Sequence, residues 1–178
     1  LDLEGEARGL LPGKAWKRQA QGEGWRDGDT CNVAVGQGAL LATPLQMAVF
    51  AAALATGGRV YRPRLVRAIR TPGTAAFREL PPAPARALPW RADHVARVQA
   101  GMRDVVQSPT GTGRLARIDG VPMAGKTGTA EFGPKGAGRQ HGWMILFAPA
   151  DAPRFAAALV VDEAVSGGTT AAPRMALL

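Results

Sequence analysis

A chain of 178 residues, 46% hydrophobic and 20% charged, is long enough to bury a core, and its composition excludes wholesale disorder and a collagen-like or coiled-coil chain. Its single cysteine, Cys31, excludes an internal disulfide, and no Cys/His cluster has metal-ligand spacing, so neither a metal nor a cofactor is expected. The net charge of +8 comes from 22 basic residues, 18 of them Arg, and the excess falls between Arg59 and Arg103, where ten Arg stand against Glu79 and Asp93.

The first 30 residues carry Gly5, Gly9, Pro12, Gly13, Gly22, Gly24 and Gly28 without a sustained period, which predicts an extended surface segment. Asp2, Glu4 and Glu6 stand where a signal peptide would have a basic and then an apolar stretch, so any targeting signal is removed or absent. Thr43-Pro44-Leu45-Gln46 combines a capping residue, a proline at the first helical position and Gln three after the cap, and so opens a helix. Met47 to Thr56 continues it as a nearly all-apolar, buried helix, and Gly57-Gly58 supplies the left-handed stop. The apolar run Met47 to Ala55 has nine residues, well under the roughly 20 of a membrane span.

Arg59 to Arg70 reads as extended, broken by Pro63, and Thr71 to Pro89 holds five prolines, which predicts a connector without elements. The Arg-rich stretch reads as a solvated face, with attraction to nucleic acid or anionic lipid as the alternative. A second helix is predicted from Asp93 to Gln107, with Val95, Val98, Met102, Val105 and Val106 at helical spacing and Ser108-Pro109 as its end. Gly111 and Gly113 mark a turn. Trp143 to Phe147 and Phe155 to Val161, joined by Ala148-Pro149-Ala150-Asp151-Ala152-Pro153, predict an antiparallel hairpin. Pro173 to Leu178 opens a last helix.

One stretch admits two chemistries. Gly120-Val121-Pro122-Met123-Ala124-Gly125-Lys126-Thr127 fits the phosphate-loop spacing G-x-x-x-x-G-K-S/T, and Leu159-Val160-Val161-Asp162-Glu163 imitates the strand and acid that hold magnesium in such ATPases. A phosphate loop requires a helix directly after its lysine, so that free N–H groups meet the phosphates. Here Gly128, Gly133, Pro134, Gly136 and Gly138 follow, and Pro122 removes a backbone donor. The second chemistry centres on Lys126-Thr127-Gly128, a K-T-G element. On an extended strand beside a cleft it offers a cation for a carboxylate, a hydroxyl donor, and a glycine that lets a peptide approach closely.

The sequence around K-T-G resembles the C-terminal half of the transpeptidase domain of the penicillin-binding protein 2 family, the elongation-type class B enzymes of the cell wall. The resemblance runs through Leu1-Asp2-Leu3-Glu4-Gly5-Glu6, Gly9-Leu10-Leu11-Pro12, Gly28-Asp29-Thr30 with Asn32, and Gly36-Gln37-Gly38 as far as Thr43-Pro44-Leu45-Gln46-Met47-Ala48. It continues through Gly57-Gly58 with Pro63, Gly111-Thr112-Gly113, Ala124-Gly125-Lys126-Thr127-Gly128-Thr129-Ala130-Glu131, and Trp143 with Phe147-Ala148-Pro149. It implies an α/β (α+β) chain, part of the serine β-lactamase/penicillin-binding transpeptidase fold, an antiparallel sheet flanked by helices. Residues 1–178 would be the C-terminal portion of a single transpeptidase domain and supply three of its five strands, leaving one edge and one helical layer uncovered.

The implied activity is D,D-transpeptidation through an acyl-serine, with peptidoglycan stem peptides ending in D-Ala-D-Ala as substrate and β-lactams as inhibitors. A glycosyltransferase of the elongation machinery is the implied partner, nucleic acid is not one, and the periplasmic face of the inner membrane is the implied place, with the anchor outside this chain. By the resemblance Lys126 helps activate the site and holds the donor carboxylate electrostatically. Thr127 and Thr129 hydrogen-bond that carboxylate, the Thr129 N–H is one oxyanion donor, and Gly128 leaves room for the substrate.

The nucleophile motif Ser-x-x-Lys is absent: Ser108 and Ser166, the two serines of the chain, are followed three residues later by Gly111 and Thr169. The middle motif Ser-x-Asn or Ser-x-Asp is absent too, and Thr30-Cys31-Asn32 only imitates it. The chain alone is therefore expected to be inactive. Cys31 has no base at a recognisable spacing. His94 and His141 read as a surface residue and a loop residue. A phosphate-loop ATPase and a non-catalytic basic binding module are the alternative functions.

Overall fold

The computed structural model describes residues 5–81, 83, 86–134 and 138–178; Leu1 to Glu4 of the first matched block, Pro82 and Pro84 of the connector, and Gly136 lie outside them. An antiparallel sheet of β5 (Ala124–Glu131), β6 (Gln140–Ala148) and β7 (Phe155–Val161) forms the centre, in that spatial order. The predicted hairpin is β6 and β7, and the K-T-G element lies on β5, as the resemblance implies. Side chains alternate between the faces of a strand, so β6 feeds two cores. Met144, Leu146 and Ala148 join Val106, Ala116, Met123, Ala171, Ala172 and Met175, while Ile145 and Phe147 join Ala51, Leu54, Met102 and Ala124. Both faces of the sheet thus carry packed elements, whereas the outer edge of β5 pairs with no strand among the described residues.

The two predicted long helices are present as α3 (Pro44–Ala55) and α4 (Ala92–Gln107). Thr43 Oγ1 accepts from the Gln46 N–H at 3.2 Å and Gln46 Oε1 from the Thr43 N–H at 3.0 Å, the reciprocal cap read from the sequence. At the other end the Gly58 N–H reaches Ala53 O and the Gly57 N–H reaches Leu54 O, with both glycines at positive φ. The last turn of α4 is closed from outside, because the Gly113 N–H donates to Val105 O at 2.9 Å. A Cβ on Gly111 would stand 2.3 Å from that carbonyl, so only glycine fits the turn. The final helix, expected over Pro173 to Leu178, is the single turn α5 (Ala172–Met175), entered through a wide π-type turn over Gly167–Ala171.

Two expectations change. The first 30 residues are not simply extended: they hold α1 (Lys14–Gln21) and the start of α2 (Asp27–Ala34). Lys14 to Gln21 are good helix formers lying between Gly13 and Gly22, so the flanking glycines are caps and not loop filler. α2 contains Gly28, Thr30 and Asn32 and has little propensity of its own. It is held by Asp29, whose Oδ2 accepts from the buried Lys17 Nζ at 2.6 Å and from the Arg26 N–H at 2.7 Å. The connector is likewise not bare. β1 (Arg59–Val60) pairs with β4 (Arg86–Ala87), and β2 (Ala68–Arg70) with β3 (Phe77–Glu79), as two short antiparallel ribbons. Strands of two or three residues are too short to leave a period in sequence.

Candidate functional site

The candidate site is the outer edge of β5, the strand that carries the K-T-G element. Residues directly opposite in an antiparallel pair share a face. Lys126 stands opposite Ile145, on the side of α3, and Thr127 and Thr129 stand opposite Met144 and Gly142, on the other. Lys126 lines an open, largely apolar groove of about 770 Å3 together with Phe50, Leu54, Trp90, Met102 and Ile145. Its Nζ turns back to the strand and donates to Thr127 O at 2.5 Å. The Thr129 carbonyl accepts from Gln37 Nε2 at 3.0 Å. In such a ladder the N–H and C=O of one residue face the same way. The polar groups of Thr129 therefore point off the sheet, and so do those of Thr127 two residues earlier. The ammonium of Lys126 and the N–H groups of Thr127 and Thr129 converge on one free edge.

The hydroxyls of both threonines are held from the opposite face. Thr127 is 9% exposed, and its Oγ1 lies 2.8 Å from Thr112 Oγ1, while Thr129 Oγ1 accepts from the Gly167 N–H at 3.2 Å. A Cβ on Gly167 would sit 2.3 Å from Gly128 O and 2.4 Å from Trp143 O, so the turn lies directly on the strand. One on Gly168 would lie 2.6 Å from Thr112 O. A Cβ on Gly128 would meet only Trp143 Cβ, at 3.4 Å; inside the fold, the glycine that close approach demands is Gly167. With Gly167 as donor, Thr129 keeps its own hydroxyl proton free for an anion.

All four predicted site residues thus lie together, but on two faces of one strand. Gln37, Thr112, Gly167 and Gly168 were not singled out by sequence reasoning. Gln37 and Thr112 do lie between glycines in matched blocks, yet no spacing indicates that those blocks meet β5. Ser108 and Ser166 are consumed in local turns, accepting from the N–H groups of Thr110 and Thr169. Cys31 is exposed on α2, and Thr30 receives the Trp25 Nε1–H, so the Thr30-Cys31-Asn32 imitation stays with the helix.

The phosphate-loop reading fails on geometry. Lys126 and Thr127 lie inside a strand that runs on to Glu131, so no helix begins directly after them, and β7 is separated from β5 by β6. Asp162 and Glu163 are engaged with His141 and Arg139 instead. His94 is exposed at the start of α4. No group of three or more His, Cys, Asp or Glu suited to a metal occurs among the described residues.

The family model of the penicillin binding protein transpeptidase domain matches residues 1–177, and the chain belongs to that family. The peptidoglycan D,D-transpeptidase MrdA of Acinetobacter baumannii is 34% identical over 183 residues, an alignment covering 96% of this chain and 27% of that protein. A chain from a peptidoglycan synthase complex that coordinates polymerization and crosslinking superposes with a TM-score of 0.79 at 35% identity, covering 97% of this chain and 29% of that one. Penicillin-binding protein A from M. tuberculosis, solved as an imipenem acyl-enzyme complex, gives a TM-score of 0.68 at 31% identity over 82% of this chain and 32% of that one. The chain therefore spans under a third of the length of these relatives.

Proposed function

We propose that residues 1–178 form the substrate-binding portion of a single transpeptidase domain, in a peptidoglycan D,D-transpeptidase that serves cell-wall elongation and cell shape. The observation that carries this reading is the convergence of Lys126 Nζ with the edge-facing amides of Thr127 and Thr129. An extended stem peptide ending in D-Ala-D-Ala would lie along that edge as an added strand. At the free edge, Lys126 would hold its terminal carboxylate electrostatically from the groove face, and the hydroxyls of Thr127 and Thr129 would reach it from the opposite face. Gly128, which carries no side chain, leaves the groove face open to the peptide. The Thr129 N–H would donate to the oxyanion that forms when a serine hydroxyl adds to the penultimate carbonyl. Collapse of that intermediate breaks the peptide bond, and the free D-Ala amine takes up the proton. The acyl group then passes to an amine of a neighbouring strand, regenerating the serine.

The serine and its lysine base do not occur in this sequence as Ser-x-x-Lys, so the reaction requires a portion of the enzyme beyond it. β-Lactams would acylate the same serine, and a glycosyltransferase of the elongation machinery is the expected partner. No helix among the described residues is long and apolar enough to cross a membrane. A position at the periplasmic face of the inner membrane would therefore depend on an anchor elsewhere in the protein.

A fluorescent penicillin should label the enzyme that joins this segment to its nucleophile-bearing portion and leave residues 1–178 alone unlabelled. In the joined enzyme Lys126→Ala should slow acylation by about a hundredfold or more, the scale on which losing one preorganised electrostatic group acts. Labelling of residues 1–178 alone, or acylation indifferent to Lys126→Ala, would overturn this assignment.

A further inference from the structure

Gln37 is 92 residues away from Thr129 in sequence, yet its Nε2 donates to the Thr129 carbonyl at 3.0 Å. The loop that presents it is built for this: Gly36 and Gly38 both have positive φ, and the Gln37 N–H is tied to Asn32 O at 2.8 Å, at the end of α2. α2 is fixed to α1 through Asp29 and Lys17. A continuous set of contacts therefore runs from α1 through α2 and the Gly36 to Gly38 loop to the free edge of β5.

We propose that Gln37 is a positioning residue for the Thr129 amide, an inference that rests on the transpeptidase reading of the β5 edge. The peptide before Thr129 is held by the pairing with β6 and by Gly167 packed against Gly128. The peptide after it has no strand partner on the outer side, and Gln37 is what holds its carbonyl. With both planes and the Oγ1 fixed, the Thr129 N–H keeps one direction, which is what an oxyanion donor needs before charge develops. A carbonyl has two lone pairs, so Thr129 O can accept from Gln37 and still offer the second to a substrate amide. Gln37 therefore orients the edge without closing it. The contact requires a donor: a carboxylate of the same shape would turn an acceptor toward an acceptor.

The test is the acylation of the joined enzyme by a fluorescent penicillin over a range of concentrations, which separates reversible affinity from the acylation step. In Gln37→Ala and in the isosteric Gln37→Glu the acylation rate constant should fall about tenfold, short of the hundred- to thousandfold lost with an oxyanion donor itself. Reversible affinity should stay within about twofold and the melting temperature should be unchanged, because a contact that only positions the amide is felt mainly in the transition state. Wild-type acylation rates in both variants would overturn the proposal. So would tighter reversible binding, which would make Gln37 an obstruction of the edge, or a loss confined to affinity. An unmodified joined enzyme that penicillin does not acylate overturns the transpeptidase reading first, and this proposal with it.

Discussion

The sheet and the α1–α2 pair are held by different physics. β6 contributes Met144, Ile145, Leu146 and Phe147, all nearly inaccessible, to two cores on either side of the sheet. Burial of this kind is non-directional and tolerates small shifts of one element against another. The α1–α2 pair instead has one buried cation, Lys17, and α2 buries no residue at all; its position is set by the two bonds to Asp29, the Trp25 to Thr30 bond and Gln37. A region set by a few directional bonds is well defined in angle but has little depth of stability. On the proposed reading that difference suits β5, whose amides would have to point accurately on one side and stay packed on the other.

The strongest way to break the contrast is from the packed side. Phe147 is 1% exposed, so Phe147→Ala should cost about 3 to 5 kcal/mol through lost burial and the cavity left behind, read by chemical denaturation of the joined enzyme. A loss under about 1 kcal/mol would mean that the sheet is not what holds the domain.

Next comes Gly167→Ala. Its methyl would be placed against the backbone of Gly128 and Trp143, which cannot turn aside as a side chain tip can. Overpacking of this kind costs about 1 to 3 kcal/mol. It should also displace Thr129, so acylation should fall further than stability alone explains. A variant that melts earlier yet acylates normally would confine Gly167 to packing.

The smallest effect, and the one that sharpens the comparison most, lies at Asp29. The Lys17 hydrogen bond, and after it the Arg26 N–H, hold the Asp29 carboxyl below the ordinary carboxylate range. A group depressed in the folded state contributes fully above its unfolded value, about pH 4, and loses that contribution as pH falls through the folded value. The melting-temperature gap between the parent and Asp29→Asn should therefore be constant near neutrality and close in acid. A gap that widens in acid would reverse the sign and remove Asp29 as the anchor of α2.

The same contrast decides what was legible in the sequence. α3 shows a capping box, an apolar run and a glycine stop, α4 shows helical apolar spacing and a Ser-Pro end, and β6 and β7 show strand formers beside a proline-bearing link. α1 was lost among its glycines, and α2 had no propensity to find, because Lys17 and Asp29 stabilise it from 12 residues apart. Lys126, Thr127, Gly128 and Thr129 were legible as a motif, and their separation onto two faces follows from strand alternation. The contacts of Gln37 and Gly167 with Thr129 join residues 92 and 38 positions apart through single hydrogen bonds, and a single bond leaves no period to detect.

The unpaired edge of β5 has a further consequence. A bare strand edge invites pairing with any extended chain. Here the outward carbonyls of Thr127 and Thr129 are already met by Lys126 and Gln37, and Lys126 adds a charge that a generic strand would have to bury. On the proposed reading, an incoming peptide would gain most where its own anionic end answers that cation. The groups proposed to receive substrate would thus also guard the sheet against aggregation, so Lys126→Ala should raise self-association of the joined enzyme as well as slow its acylation.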